Sequence, residues 1–142
     1  MKFPAAAAAE RSPVGQTLAG LKVLVVDDDT AVRAVTVAMV GDLGCMVDDL
    51  DTGEAALNTV EIGAYDVVLI DFAMPGINGG ETARRLTERD PGLAIVLMSG
   101  YAESASLAQD WPGPVLHKPF GAAGLAARIS DLLHARASAR GD

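Results

Sequence analysis

Five polar residues at the ends of apolar runs have the types and spacing needed to bind a divalent cation and a phosphoryl group. Asp27 and Asp28 end the run VLVVDD, Asp71 ends VVLID, Ser99 ends AIVLMS, and Lys118 follows VLH. Three carboxylates brought together would repel one another and raise each other's pKa unless a cation lay among them. Oxygen ligands without Cys or His suit Mg²⁺, which also binds phosphate oxygens. Ser99 and Lys118 are donors that would hold the remaining phosphoryl oxygens.

The elements that position these residues follow from an alternation of apolar runs and helical patterns. The pattern predicts strands near residues 21–27, 45–50, 66–71, 94–99 and 114–117, and helices near 30–41, 53–62, 79–89, 103–109 and 121–136. The runs DVVLID and LAIVLMS are apolar on both faces, which is typical of parallel strands covered by helices. We therefore predict an α/β fold with a doubly wound five-stranded parallel sheet. Ligands of such sheets lie outside the carboxyl ends of the strands, where the five polar residues fall.

Length, charge and cysteine content narrow the class of protein. The chain has 142 residues, half of them hydrophobic, which is enough for one compact domain. Its formal net charge of -8 disfavours binding to nucleic acid or to an anionic membrane. Cys45 is the only cysteine, so no internal disulfide can form. The N-terminal alanine run is too short to span a bilayer, and we expect a cytoplasmic protein.

The chain is expected to carry one domain with a short extension at each end. Residues 1–19 show neither the helical nor the strand period and contain Pro and Gly, so we predict a flexible tail. The domain is predicted over residues 20–137, followed by a C-terminal tail at 138–142. We expect no second domain, and therefore no DNA-binding output domain.

The motifs VVDD, IDFAMPGINGGE, LMSG and HKPF resemble, in order and at βα spacing, those of the response regulator receiver domain of two-component signalling. The resemblance covers residues 21–136. It implies a flavodoxin-like (βα)5 fold with strand order 2-1-3-4-5, and a cis peptide bond between Lys118 and Pro119.

The same resemblance assigns roles at the strand ends. It implies that Asp71 is the phosphoacceptor and that Asp28 and Asp71 bind Mg²⁺ directly together with the carbonyl of Ala73. Asp27 assists through water, and Ser99 and Lys118 bind the phosphoryl group.

The resemblance also implies partners. The phosphoryl donor would be a histidine kinase or a histidine phosphotransfer protein, and the readout surface would comprise the fourth predicted helix, the fifth strand and the fifth helix, residues 103–136. A downstream target protein would receive the signal there. The domain would catalyse only its own phosphorylation and dephosphorylation, so it is not expected to be an enzyme.

Two alternatives remain open. The run VLVVDDDTAV also satisfies the first motif of haloacid dehalogenase-like phosphatases, with Asp27 as nucleophile and Asp29 as general acid/base. That family needs acidic metal ligands after its lysine, where this chain has only Asp131 and Asp142. Asp29 is explained more simply as a helix N-cap, a role that Thr30 could also take. The second alternative is a receiver used as a scaffold and never phosphorylated.

One departure from the family pattern affects the expected switch. Receivers commonly carry Tyr or Phe three residues before the lysine of the fifth strand, and here that residue is Val115. Tyr101, two residues after Ser99, is the nearest aromatic replacement, and we hypothesise that its ring covers the phosphoryl site. His117 is predicted to be structural or exposed. Gly76 and Gly79 are predicted to shape the turn after Asp71.

Overall fold

A computed structural model describes residues 18–100 and 111–139 of the chain. The strands are β1 Lys22–Val26, β2 Met46–Leu50, β3 Val67–Asp71, β4 Ala94–Ser99 and β5 Val115–His117. They form one parallel sheet in the order β2-β1-β3-β4-β5. The described helices are α1 Thr30–Asp42, α2 Gly53–Thr59, α3 Gly79–Arg89 and α4 Ala122–Ala139. The predicted doubly wound α/β fold and its strand order are therefore confirmed.

The central strands β1, β3 and β4 are buried on both faces, and successive residues of each strand point to opposite sides. Ile70 of β3 belongs to a hydrophobic cluster with Leu86 of α3, whereas the preceding Leu69 belongs to a cluster with Ile129 of α4. Helices α2 and α3 cover one face, and α1 and α4 cover the other. Strands β3 and β4 are buried along their whole length, which explains their continuous apolar runs.

Two helices differ from their predicted bounds. Helix α2 ends at Thr59 and not near residue 62, because Val60 adopts an extended conformation and is buried. Helix α4 continues to Ala139, into the segment predicted as a C-terminal tail, since its final residues are good helix formers. The helix predicted at 103–109 lies outside the described residues. Among the described helices, none is long and apolar enough to cross a membrane.

The described structure also begins inside the predicted N-terminal tail. Leu18, assigned to the tail 1–19, has no exposed surface and belongs to the core cluster on the side of α1 and α4. Its carbonyl accepts a hydrogen bond from Cys45 Sγ at 3.4 Å, and the Gly20 N–H donates to the Gly44 carbonyl at 2.9 Å. A single apolar residue has no periodicity, so the sequence pattern alone could not distinguish it from a tail.

Candidate functional site

Three carboxylates meet at the carboxyl edge of the sheet. One oxygen atom from each of Asp27, Asp28 and Asp71 lies within 4.8 Å of the others. Asp27 has no exposed surface and Asp71 has 4%, whereas Asp28 is exposed. The three meet because β1 and β3 are adjacent parallel strands whose carboxyl ends lie side by side.

Asp27 is a buried carboxylate whose hydrogen bonding is incomplete. Its Oδ1 accepts a hydrogen bond from the Asp29 N–H at 2.9 Å, but its buried Oδ2 has no hydrogen-bond partner among the described residues. Lys118 Nζ lies 3.7 Å from this Oδ2. Burial raises the pKa of Asp27 above its ordinary value, and the neighbouring Asp28 raises it further, against the lowering effect of the Asp29 amide and Lys118. A positive charge at Oδ2 would relieve this conflict.

Asp71 and Lys118 form the closest ion pair of the site. Lys118 Nζ donates to Asp71 Oδ1 at 2.6 Å, and the lysine side chain is 27% exposed. Burial raises the pKa of Asp71 to about 6, even though the Lys118 hydrogen bond lowers it. The charges of Asp27 and Asp28 add to the rise. The Lys118–Pro119 peptide bond is cis, as the resemblance implied.

The turn after Asp71 is shaped by glycines. Gly76 has a φ of 78°, a conformation that other residues rarely adopt. A Cβ atom on Gly79 would lie 2.3 Å from the carbonyl oxygen of Asp71, so only glycine fits there without movement of the backbone. The Gly79 N–H donates to the Phe72 carbonyl at 2.8 Å, which brings the start of α3 next to the end of β3. Ala73 is exposed in this turn.

Asp29 begins α1 as its N-cap. Its Oδ1 accepts a hydrogen bond from the Val32 N–H at 3.1 Å. Of the two predicted caps, Asp29 and Thr30, the first is therefore confirmed. This bond gives Asp29 a structural role, which accounts for it without the general acid/base function of the phosphatase alternative.

Ser99 ends β4 and is completely buried. Its Oγ lies 3.3 Å from Nδ1 of His117, its register partner in β5. The Lys118 N–H donates to the Ser99 carbonyl at 2.8 Å, so the backbone of β4 holds the lysine-bearing end of β5. His117 is exposed as predicted. Its contact with Ser99 was missed, because a sequence read strand by strand does not give the lateral register.

Arg33 in α1 is a second contributor that the sequence analysis missed. Its Nη1 donates to the Asp27 carbonyl and its Nε donates to Asp49 Oδ2, each at 2.7 Å. Arg33 therefore joins the ends of β1 and β2 behind the carboxylates. Neither contact has a local sequence signal, because Asp49 becomes a neighbour of Arg33 only through the pairing of β1 with β2.

Of the two residues considered for the switch, Val115 and Tyr101, the structure describes only Val115. Val115 is half-buried and packs against the core cluster on the side of α2 and α3. Tyr101 lies outside the described residues, so its role stays a prediction.

The arrangement is suited to a hard cation and an anionic group. Two buried carboxylates and one exposed carboxylate offer oxygen ligands, and a buried oxygen of one of them lacks a hydrogen-bond partner among the described residues. Magnesium binds through one or two carboxylates and completes its shell with water and phosphate oxygens. The ammonium group of Lys118 adds a positively charged hydrogen-bond donor at the same edge.

The sequence of this chain is similar to those of known proteins. The chain is 33% identical over 116 residues to the response regulator receiver protein CpdR of Brucella abortus, a match that covers 79% of this chain and 96% of CpdR. Other relatives are much longer, and the chain spans 9% to 39% of the length of several sensor proteins and transcriptional regulators.

Two solved structures extend the comparison. A response regulator receiver protein from Sinorhizobium medicae superimposes with a TM-score of 0.75 at 30% identity, covering 82% of this chain and 97% of that one. The receiver domain of sensor histidine kinase PA1611 from Pseudomonas aeruginosa, which has magnesium coordinated in its active-site cleft, gives a TM-score of 0.74 at 26% identity, over 82% and 99%.

The sequence matches the family described as the response regulator receiver domain over residues 23–130, which covers all of the sheet except Lys22 and all the strand-end residues described above. This chain therefore belongs to the response regulator receiver domain family of two-component signalling.

Proposed function

We propose that this receiver domain accepts a phosphoryl group on Asp71 from a histidine kinase or a histidine phosphotransfer protein in the presence of Mg²⁺. The observation that carries the proposal is the 2.6 Å hydrogen bond from Lys118 Nζ to Asp71 Oδ1, within a carboxylate cluster that includes a buried Asp27 oxygen. Within residues 18–100 and 111–139, this oxygen has no hydrogen-bond partner. Lys118 orients Asp71, and the second carboxylate oxygen of Asp71 acts as the nucleophile.

The residues present fit a magnesium ion. Asp28 and Asp71 would hold it directly, with the carbonyl of Ala73 as a further ligand, and Asp27 would assist through water. When bound, Mg²⁺ would neutralise negative charge on the phosphoryl oxygens. The water through which Asp27 assists would give its buried Oδ2 a hydrogen-bond donor, which supports this role.

The transfer itself exchanges one bond for another. An oxygen of Asp71 forms a bond to phosphorus while the bond from phosphorus to the donor histidine nitrogen breaks, and that nitrogen keeps the electron pair. Lys118 and Ser99 donate to the phosphoryl oxygens as their charge develops. The new group brings about -1.5 to -2 units of charge to the edge of the sheet. This charge would draw Ser99 and Lys118 towards it and alter the surface formed by β5 and α4, where a partner protein would bind.

The phosphatase alternative is less well supported. Its general acid/base would be Asp29, whose carboxylate caps α1 through the Val32 N–H. Its nucleophile would be Asp27, whose Oδ1 accepts from the Asp29 N–H. Membership of the receiver family adds to the argument against it.

The proposal is tested by intact-mass measurement after incubation with Mg²⁺ and acetyl phosphate. Wild type should gain one phosphoryl group, and Asp71→Asn should gain none. Phosphorylation of wild type should also stop when the metal is removed with EDTA. The same preparations should be assayed for hydrolysis of a generic phosphomonoester, with Asp27→Asn alongside.

Each outcome separates two candidate functions. No mass gain by wild type, either from acetyl phosphate or from a panel of histidine kinases, would favour the unphosphorylated scaffold. Phosphomonoester turnover that survives Asp71→Asn but is lost in Asp27→Asn would favour the phosphatase.

A further inference from the structure

We propose that His117 is a positioning residue for Ser99: its imidazole fixes the Ser99 hydroxyl and, by donating from Nδ1, leaves the hydroxyl proton available to a phosphoryl oxygen. This inference rests on the proposed function, since it concerns how Ser99 serves the phosphoryl group on Asp71. It assigns a role to a residue that does not itself touch the reacting atoms.

The geometry that supports the proposal is local and specific. Ser99 and His117 are register partners at the carboxyl ends of neighbouring strands, and Ser99 Oγ lies 3.3 Å from His117 Nδ1. Ser99 is completely buried, while His117 is exposed. His117 is therefore an exposed residue in contact with a buried hydroxyl.

The number of protons on a serine hydroxyl makes the direction of this hydrogen bond important. A hydroxyl has one proton to donate and two lone pairs that accept. If Ser99 donates to Nδ1, its only proton is occupied and cannot reach a phosphoryl oxygen. If Nδ1–H donates to Ser99, a lone pair is used and the proton remains available. Phosphorylation should therefore select the second arrangement.

Val115, the other residue of β5 on this face, cannot position the Ser99 hydroxyl. Val115 lies on the same side of the strand as His117, because residues two apart in a strand share a face. Its side chain is aliphatic and packs against the core cluster, so it offers Ser99 no hydrogen bond. Among the described side chains, His117 is the one that contacts the Ser99 hydroxyl. Because the exposed His117 imidazole contacts the Ser99 hydroxyl, a change at this buried hydroxyl would also reach the surface of β5.

The first test compares phosphorylation rates by intact mass with Mg²⁺ and acetyl phosphate. His117→Leu should slow phosphorylation about fivefold, the value of one neutral hydrogen bond. His117→Asn should restore most of the rate, because a carboxamide can donate from nearly the position of Nδ1. In a Ser99→Ala background, His117→Leu should have no further effect. His134→Leu is the matched control, since His134 Nδ1 contacts the Ser130 carbonyl within α4, away from the sheet edge.

The second test observes the proton directly. The chain has two histidines, so side-chain ¹⁵N resonances can be assigned with the single variants His117→Leu and His134→Leu. With Mg²⁺ and beryllofluoride as the phosphoryl mimic, His117 Nδ1 should be protonated and hydrogen-bonded, and Ser99→Ala should change its shift.

The outcomes distinguish this inference from the proposed function. If wild type gains no phosphoryl group, the proposed function fails and this inference fails with it. If wild type is phosphorylated but His117→Leu reacts at the wild-type rate, or slows equally with and without Ser99, the inference alone is overturned. An unprotonated Nδ1 in the beryllofluoride complex would overturn it as well.

Discussion

Replacement of Asp71 by Asn should stabilise the metal-free protein, although it removes the proposed phosphoacceptor. The pKa of Asp71 rises from 3.8 to about 6 because the residue is only 4% exposed and its carboxylate lies beside Asp27 and Asp28. At 1.36 kcal/mol per pKa unit, ionising this carboxylate in the folded protein costs about 3 kcal/mol relative to the unfolded chain. The Lys118 hydrogen bond is already included in this balance. Asparagine has the same shape without the charge, so Asp71→Asn should raise the free energy of unfolding by up to about 3 kcal/mol at neutral pH.

The pH dependence has a definite sign. Because the folded-state pKa of Asp71 is raised, the folded protein holds this proton more tightly than the unfolded chain does. The stabilisation from protonated Asp71 is fully present below pH 3.8 and is lost as the pH rises through about 6. The difference between Asp71→Asn and wild type should therefore be small at low pH, grow across this window and remain constant above it.

The assay is urea denaturation followed by circular dichroism in EDTA, repeated across this pH window and then with saturating Mg²⁺. Since a ligand that binds only the folded state stabilises it, Mg²⁺ should raise the stability of wild type more than that of the variant and narrow the gap. Asp131→Asn is the matched control, because Asp131 is exposed on α4. Its effect should stay within about 0.5 kcal/mol at every pH.

Two results would refute this reasoning. Asp71→Asn could prove no more stable than wild type in EDTA at neutral pH, which would mean that the Lys118 ion pair outweighs the burial of the carboxylate. Alternatively, the gain in stability could be the same at low and neutral pH, which would mean that it has a source other than the charge of Asp71.

Three further substitutions test the support around the site. Arg33→Ala should lower the free energy of unfolding by about 1.5–3 kcal/mol in urea denaturation, because it removes a charged donor from the buried carbonyl that ends β1. Leu18→Ala should lower it by about 2–5 kcal/mol, and an unchanged thermal midpoint would mean that this residue belongs to the tail. Gly79→Ala should slow phosphorylation from acetyl phosphate, because its Cβ would displace the backbone of Asp71. Gly124→Ala, whose Cβ meets no atom within 4 Å, should react at the wild-type rate.

The fold was predictable because its signals are local and repeated. Strands buried on both faces give continuous apolar runs, and their alternation with helical patterns indicates a parallel sheet. The ends of single elements were less predictable. Val60 fits a helical pattern yet ends α2, because its side chain is buried while its backbone is extended. Leu18 is one apolar residue in a segment without a period, so its burial depends on tertiary packing.

The site was predictable to the extent that it depends on strand ends. Carboxylates that follow β1 and β3 must meet if these strands are parallel neighbours, and Asp27, Asp28 and Asp71 do meet. Contacts that depend on lateral register were not accessible. The approach of His117 to Ser99 requires the pairing of β4 with β5, and the bridge from Arg33 to Asp49 requires the order of β1 and β2.

The charges at the sheet edge explain why a cation and a phosphoryl group would belong to the same site. Asp27, Asp28 and Asp71, when ionised, carry three negative charges against the single positive charge of Lys118, which leaves a formal excess of two. A dication balances that excess, whereas Lys118 alone cannot, and Asp27 Oδ2 shows the deficit as a buried oxygen without a hydrogen-bond partner among the described residues. The proposed phosphorylation would then replace the charge of one carboxylate by about -1.5 to -2 units on the phosphoryl group. The new charge would lie on several oxygens, so donors that turn towards it would be needed beside the metal ion. The Ser99 hydroxyl would be such a donor if His117 donates to it and leaves its proton available, as proposed above.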